Sequence, residues 1–304
     1  MKKMTRIMAV VIVLAMALSL SACDSSDYKK AVASYQAGDY EAASAAFKAL
    51  GEYEDSAELA NDCDYQLALA LYNAKNYTDA IPALEALGEY KDCADLIAKA
   101  NDTLINEALV GKWASDEIDS TDLFMDGLTS SLSGDGMEIL DYFELENFTI
   151  IYTLEFTDKG TIVESVDSEH FKKSVDKLAD AFYDACIAYV EDSFTKAAEE
   201  EGVTYQWVLD YYEAADTAEL AGMLFGMELD EFVNLLIVSP YAALAEGMAE
   251  NGTFSVKDGV ITLAYGTESE EGELDLASDV LTLTGEGAPD EQQDMYPMVF
   301  SRVE

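Results

Sequence analysis

Leu109-Val110-Gly111-Lys112-Trp113 divides the sequence into two kinds of pattern. Before it, apolar residues return every three or four positions, as one face of a helix requires. After it they alternate, as one face of a strand requires. Gly111-Lys112-Trp113 opens the first strand of a β-meander. Phe148 to Phe156 alternates, with Ile150, Tyr152, Leu154 and Phe156 on one face, and Thr157-Asp158-Lys159-Gly160 turns the chain back into Thr161 to Val166. Thr253 to Val256 and Val260 to Tyr265 flank the turn Lys257-Asp258-Gly259. Glu273 to Leu276 and Val280 to Leu283 flank Ala277-Ser278-Asp279, and Met298 to Val303 is the last strand. With the strand at Gly111 the count is eight. Eight antiparallel strands close a small barrel and leave no exposed sheet edge.

The two ends of this meander carry a second signal. Gly111 and Trp113 stand on the first strand and Arg302 on the last, and Arg302 is the only arginine beyond residue 6. A Gly-x-Trp at the start and an Arg at the end resembles the closing signature of lipocalin-like barrels. The resemblance covers residues 109–118, 148–166 and 252–304. It implies that Arg302 lies over the Trp113 indole at the closed end, and it makes a carried ligand an option. A planar guanidinium suits such stacking better than a lysine does.

Two insertions interrupt the meander. Residues 119–147 hold Leu123, Phe124, Leu128, Leu132, Ile139, Leu140 and Phe143, enough to cover one barrel mouth. Residues 167–250 read as a helical block. Phe171, Val175, Leu178, Phe182, Ala185 and Tyr189 step by four and three toward an end near Gly202, and Thr204, Thr217 and Ser239-Pro240 look like further helix starts. These helices either pack on each other or leave a Met- and aromatic-lined groove.

Upstream of Leu109 the chain repeats itself with a period of 37. Residues 28–59 aligned with 65–96 give 16 identities in 32 positions, a duplication. Gly38-Asp39 separates the helices of the first unit and Gly51 ends the second helix; Asp55-Ser56 and Asp92 restart helices as N-caps. Tyr35-Gln36-Ala37-Gly38-Asp39-Tyr40-Glu41-Ala42-Ala43 with Phe47, and its counterpart from Tyr72 through Tyr77 to Ala80, resemble the tetratricopeptide family. The resemblance covers residues 27–105 and departs from the family in its period, 37 against the usual 34. It implies helical hairpins used for protein contacts, with Tyr35, Tyr40, Tyr72 and Tyr77 packed between helices. So short an array serves either as a spacer or as a groove for a peptide.

The N-terminus supplies an address. Lys2, Lys3 and Arg6 precede an uncharged run from Ile7 to Leu20, too short to span a bilayer and suited to a signal sequence. Leu20-Ser21-Ala22-Cys23 follows and resembles the bacterial lipobox. The resemblance implies cleavage between Ala22 and Cys23, lipid on Cys23, and attachment to the extracytoplasmic face of a bacterial membrane. The organisation expected is a signal over 1–22, a lipidated tether over 23–26, helical repeats over 27–108 and a β domain over 109–304 with its helical insertion at 167–250. The fold class is α+β in more than one domain.

Charge and chemistry narrow the function. With 61 acidic residues against 17 basic ones, a formal charge of −44, the surface repels nucleic acid and anionic head groups over roughly 8 Å. Cys63, Cys93 and Cys186 remain once Cys23 is lipidated, an odd number that reads as buried apolar residues, although a Cys63–Cys93 bridge is an alternative. His170 is the single histidine and no ligand or triad spacing accompanies it. No phosphate-binding glycine loop, nucleophile elbow or calcium loop is present, so no catalytic residue, metal or cofactor is expected. The reading is a non-enzymatic interaction or scaffold module with a protein or peptide partner. A binder of a small apolar ligand or lipid is the alternative, and a carboxylate-dependent hydrolase comes last because nothing selects one pair among so many acids.

Overall fold

A computed structural model describes residues 24–132, 138–145, 147–287 and 295–303. The chain forms two units, one of residues up to Asn106 together with Val256–Gly259, the other of Glu107–Ser255 and Val260–Glu304.

The first unit is helical: α1 over 24–36, α2 Tyr40–Leu50, α3 Ser56–Asn73, α4 Tyr77–Glu85 and most of α5 Cys93–Leu109, whose last turn belongs to the second unit. The duplication seen in the sequence recurs in the backbone. Gly51 and Gly88 both have φ 59°, and Glu54 and Lys91, also 37 positions apart, have φ 51° and 49°. Each copy carries the same tie: the Tyr28 hydroxyl donates to Asp55, and that of Tyr65 to Asp92 at 2.6 Å. Asp55 stands at the N-cap of α3 without capping it by its side chain, and Tyr28 donates to that carboxylate. Small residues let the helices approach: Ala31, Ala43, Phe47, Ala60 and Cys63 form one cluster, and Tyr65, Ala68, Leu84, Cys93 and Leu96 the other. Cys63, Cys93 and Cys186 are buried free thiols.

The second unit holds the barrel. Its strands are β1 Gly111–Ser115, β4 Tyr152–Phe156, β5 Thr161–Val166, β6 Glu250–Lys257, β7 Val260–Tyr265, β8 Glu268–Asp275, β9 Val280–Leu283 and β10 Met298–Arg302. They close in the order β1-β10-β9-β8-β7-β6-β5-β4, with β1 also paired to β4, so the eight-stranded antiparallel barrel expected from the meander is the fold. The apolar run from Phe148 to Phe156 is not one strand. Its first part, β3 Thr149–Ile150, pairs with β2 Ile118–Asp119 as a separate ribbon, and only the part after Ile151 joins the barrel. Ile150 and Phe148 thereby enter the core of the helical block, where both are fully buried.

That block is one apolar core. α7 Ser168–Glu201 starts where the Asp167 carboxylate accepts the His170 amide at 2.8 Å and ends at Gly202 with φ 71°. Around it pack α6 Thr121–Ser131, α8 Tyr205–Tyr212, α9 Thr217–Phe225, α10 Leu229–Val233, and α11 Ser239–Gly247, which continues α10 through a π-turn at Asn234–Val238. Phe124, Leu128 and Ile139 of the first insertion belong to this core.

Strand parity then fixes what fills the barrel. Trp113, Leu154, Phe156, Ile162, Ile261, Leu263, Leu274, Leu281, Leu283, Met298 and Phe300 are buried. Glu164 has the parity of Ile162 and Val166 on β5, and Glu270 that of Gly272 and Leu274 on β8.

Candidate functional site

The barrel has two chemically different ends. At one, Trp113 is the register partner of Arg302, and the guanidinium carbon lies 4.3 Å from the indole centroid. The indole nitrogen donates to the Leu109 carbonyl at 2.8 Å. Arg302 donates through Nε and Nη2 to both carboxylate oxygens of Asp279, at 2.7 and 3.0 Å, through Nη1 to the Val110 carbonyl at 3.1 Å, and through Nη2 to the Ala108 carbonyl. The Arg302 hydrogen bond holds the Asp279 carboxyl below the usual range. Gly111 has φ 131°, and a Cβ there would stand 3.0 Å from Nη1, so the glycine lets the guanidinium come in over the strand. The four hydrogen bonds of Arg302 here all go to groups of the chain itself.

At the other end the balance fails. Glu164 on β5 pairs in register with Glu250 on β6, and Glu268 on β8 with Tyr265 on β7. With Glu270, Tyr152 and Tyr296 these residues make a ring of carboxylates and phenols. Burial pushes the Glu164 carboxyl up to about 7; Glu270 and Glu250 add to the shift and Tyr265 offsets part of it. Glu270 is raised too, first by burial and then by Glu250 and Glu268, against a lowering contribution from the Tyr296 hydroxyl. Burial, followed by the Glu164 charge, raises the Tyr265 phenol. Its hydroxyl lies close enough to Glu164 for each to affect the other's titration. Yet it closes no hydrogen bond of acceptable distance and angle, in a residue only 6% exposed.

Two glycines build this end. A Cβ at Gly252 would stand 2.7 Å from the Tyr265 ring and 2.6 Å from the Ala264 carbonyl oxygen, and one at Gly285 would stand 2.6 Å from the Tyr296 ring. The absent side chains let both tyrosines pack close against the wall. Sequence reasoning missed the ring because the strand expected from Glu273 begins at Glu268, which left Glu268 and Glu270 outside the expected strands. The parity of Glu164 with Ile162 and Val166 was the signal that could have found it.

The other residues singled out from sequence fall elsewhere. Ala22 and Cys23 lie outside the described residues. Tyr35 with Tyr40 and Tyr72 with Tyr77 form edge-to-face pairs, centroids 5.7 and 5.4 Å apart, half-buried in the repeats. The His170 ring nitrogen Nε2 lies 2.9 Å from the Thr149 hydroxyl oxygen, which lies 3.4 Å from a Glu117 carboxylate oxygen. A depression of about 540 Å³ between Tyr183, Met223, Met227 and Asp230, and another of about 320 Å³ beside Trp207 and Tyr211, sit on the helical block. Among the described residues no helix is long and apolar enough to cross a membrane. No family model matches the chain, and no curated protein or solved structure is significantly similar to it.

Proposed function

We propose that this chain is a lipid-anchored, extracytoplasmic, non-enzymatic binding protein whose barrel receives a small ligand at the Glu164–Glu270 end. One observation carries the reading: the Tyr265 hydroxyl is buried beside Glu164 without a well-formed hydrogen bond, among carboxyls that burial keeps from ionising normally. An unpaired buried hydroxyl costs about 1–3 kcal/mol, and a fold keeps such a group where something else satisfies it. The buried apolar side chains elsewhere in the barrel favour this end over its apolar interior as the ligand site. The anchor rests on the lipobox-like Leu20-Ser21-Ala22-Cys23. The tetratricopeptide-like repeats then hold the barrel away from the membrane or meet a protein partner; the Tyr–Asp tie repeated in both copies supports the hairpin packing such a role needs.

A second reading draws on the same pair: two neighbouring carboxyls, both raised by burial, are the material of a general acid and base in a hydrolase. Both are tested together by incubating the purified full chain with a small-molecule mixture and analysing what it retains. Unmodified retained ligand, lost on Glu164→Gln, supports binding. Product formation lost on the same change supports the hydrolase, and retention indifferent to the change removes the site.

A further inference from the structure

We infer that the ligand of the Glu164–Glu270 end is a small organic ammonium ion. The inference rests on this end being a ligand site at all, and it adds the chemistry of the ligand. Among the described residues, the titratable side chains that act on Glu164 and Glu270 there are acids and phenols: Glu250 from β6, Glu268 from β8, Tyr265 from β7, Tyr152 from β4, and Tyr296 from just before β10. None of them brings a positive charge. Of the cations on the barrel strands, Lys112 and Lys257 are exposed on the outward face, and Arg302 is committed to Asp279 and two carbonyls at the opposite end.

Three features select an ammonium ion over other ligands. First, an anion or a neutral acceptor would add to the repulsion among Glu164, Glu270 and Glu250, whereas a cation removes it. Second, the walls are aromatic. The Tyr265 and Tyr296 rings lie against Gly252 and Gly285, and ring faces attract ammonium groups once water is excluded. Third, among the described residues no set of three or more acidic, histidine or cysteine side chains converges as a metal shell would demand. Carboxylates spread around a ring with phenols between them fit a larger, softer cation. The unpartnered Tyr265 hydroxyl then has a role: its oxygen accepts an N–H from a primary ammonium.

Proton linkage follows with a definite sign. A cation prefers the ionised site, so it binds better as Glu164 loses its proton, and binding near neutrality releases a proton. With the carboxyl at about 7, affinity for a probe of fixed charge should rise by as much as about 30-fold between about pH 5.5 and about pH 8.

The test is calorimetric titration of the full chain with tetramethylammonium, 1,4-diaminobutane, neutral 1,4-butanediol and Ca²⁺ at both pH values. The expected result is binding of the two ammonium ions in preference to the diol and Ca²⁺, tighter at the higher pH. Glu164→Gln should cost at least about tenfold and flatten the pH dependence. Tyr265→Phe should weaken diaminobutane several-fold and leave tetramethylammonium unchanged, because only the former has an N–H to donate. Glu270→Gln serves if the Glu164 variant does not fold. Binding of a neutral or apolar probe at this end, with neither ammonium ion bound at millimolar concentration, would overturn the cation and leave the ligand site standing. Ca²⁺ binding more tightly than either amine would also overturn it. No binding of any probe would remove both.

Discussion

The closed and acidic ends of the barrel solve the same problem in opposite ways. Both hold ionisable groups at an end of a small β-barrel: Arg302 and Asp279 stay partly open to solvent, whereas Glu164 and Glu270 are desolvated, where an unbalanced charge is costly. At the closed end Arg302 meets an indole face, a bidentate carboxylate and two backbone carbonyls. At the other end Glu164 and Glu270 face further acids, and Tyr265 ends in a hydroxyl beside Glu164 without a well-formed hydrogen bond. The difference separates groups that stabilise the fold from groups that the fold tolerates. Arg302 belongs to the first kind and Glu164 to the second.

The largest expected effect is at Glu164. Its carboxyl titrates at about 7 in the folded chain against an ordinary 4.5, so the unfolded chain loses its proton first as pH rises. Stability from this group is therefore fully present below about pH 4.5 and is lost as pH rises through about 7, a loss on the order of 3 kcal/mol. Glu164→Gln should make the barrel more stable than the parent at about pH 8 by up to that amount, and equal to it near pH 4. Urea unfolding followed by tryptophan fluorescence checks this cleanly, since Trp113 and Trp207 both lie in the second unit. A variant less stable than the parent at the higher pH would place Glu164 with Arg302 as a fold-stabilising group.

Arg302→Ala should run the other way. It removes the cation over Trp113 and leaves Asp279 and two carbonyls without their donor, so a loss of about 2 kcal/mol is expected from the same fluorescence measurement. An unchanged midpoint would mean that the stacking adds nothing.

These contrasts bear on how much the sequence disclosed. The closed end was legible because its parts stand at the chain's own landmarks: Gly111 and Trp113 where the pattern changes, and Arg302 as the last basic residue. The repeats were legible because a duplication prints itself twice, down to the φ values of Gly51 and Gly88. The acidic end was not. Its residues come from β4, β5, β6, β7, β8 and the approach to β10, and only barrel closure assembles them. In a chain with 61 acids, composition hides the few that face inward, and Glu270 sits in a run that looks fully solvated. Asp279 was missed for a related reason: a turn aspartate gives no hint that it holds an arginine from another strand.

Tyr265→Phe is the smallest effect and the sharpest contrast with Arg302. Deleting a buried hydroxyl that has no partner should leave the ligand-free barrel no less stable, with a gain of about 1 kcal/mol expected. A loss of that size would mean that the hydroxyl is already satisfied in the free protein.

The most direct test of the two-ended barrel is a carboxyl-carbon NMR titration of Glu164 in the full chain, assigned with the Glu164→Gln variant. The expected midpoint is about 7 in the ligand-free protein, falling toward the ordinary 4.5 when tetramethylammonium is added. A ligand-free midpoint already near 4.5 would contradict the account, because the acidic end would then be as well balanced as the end closed by Arg302.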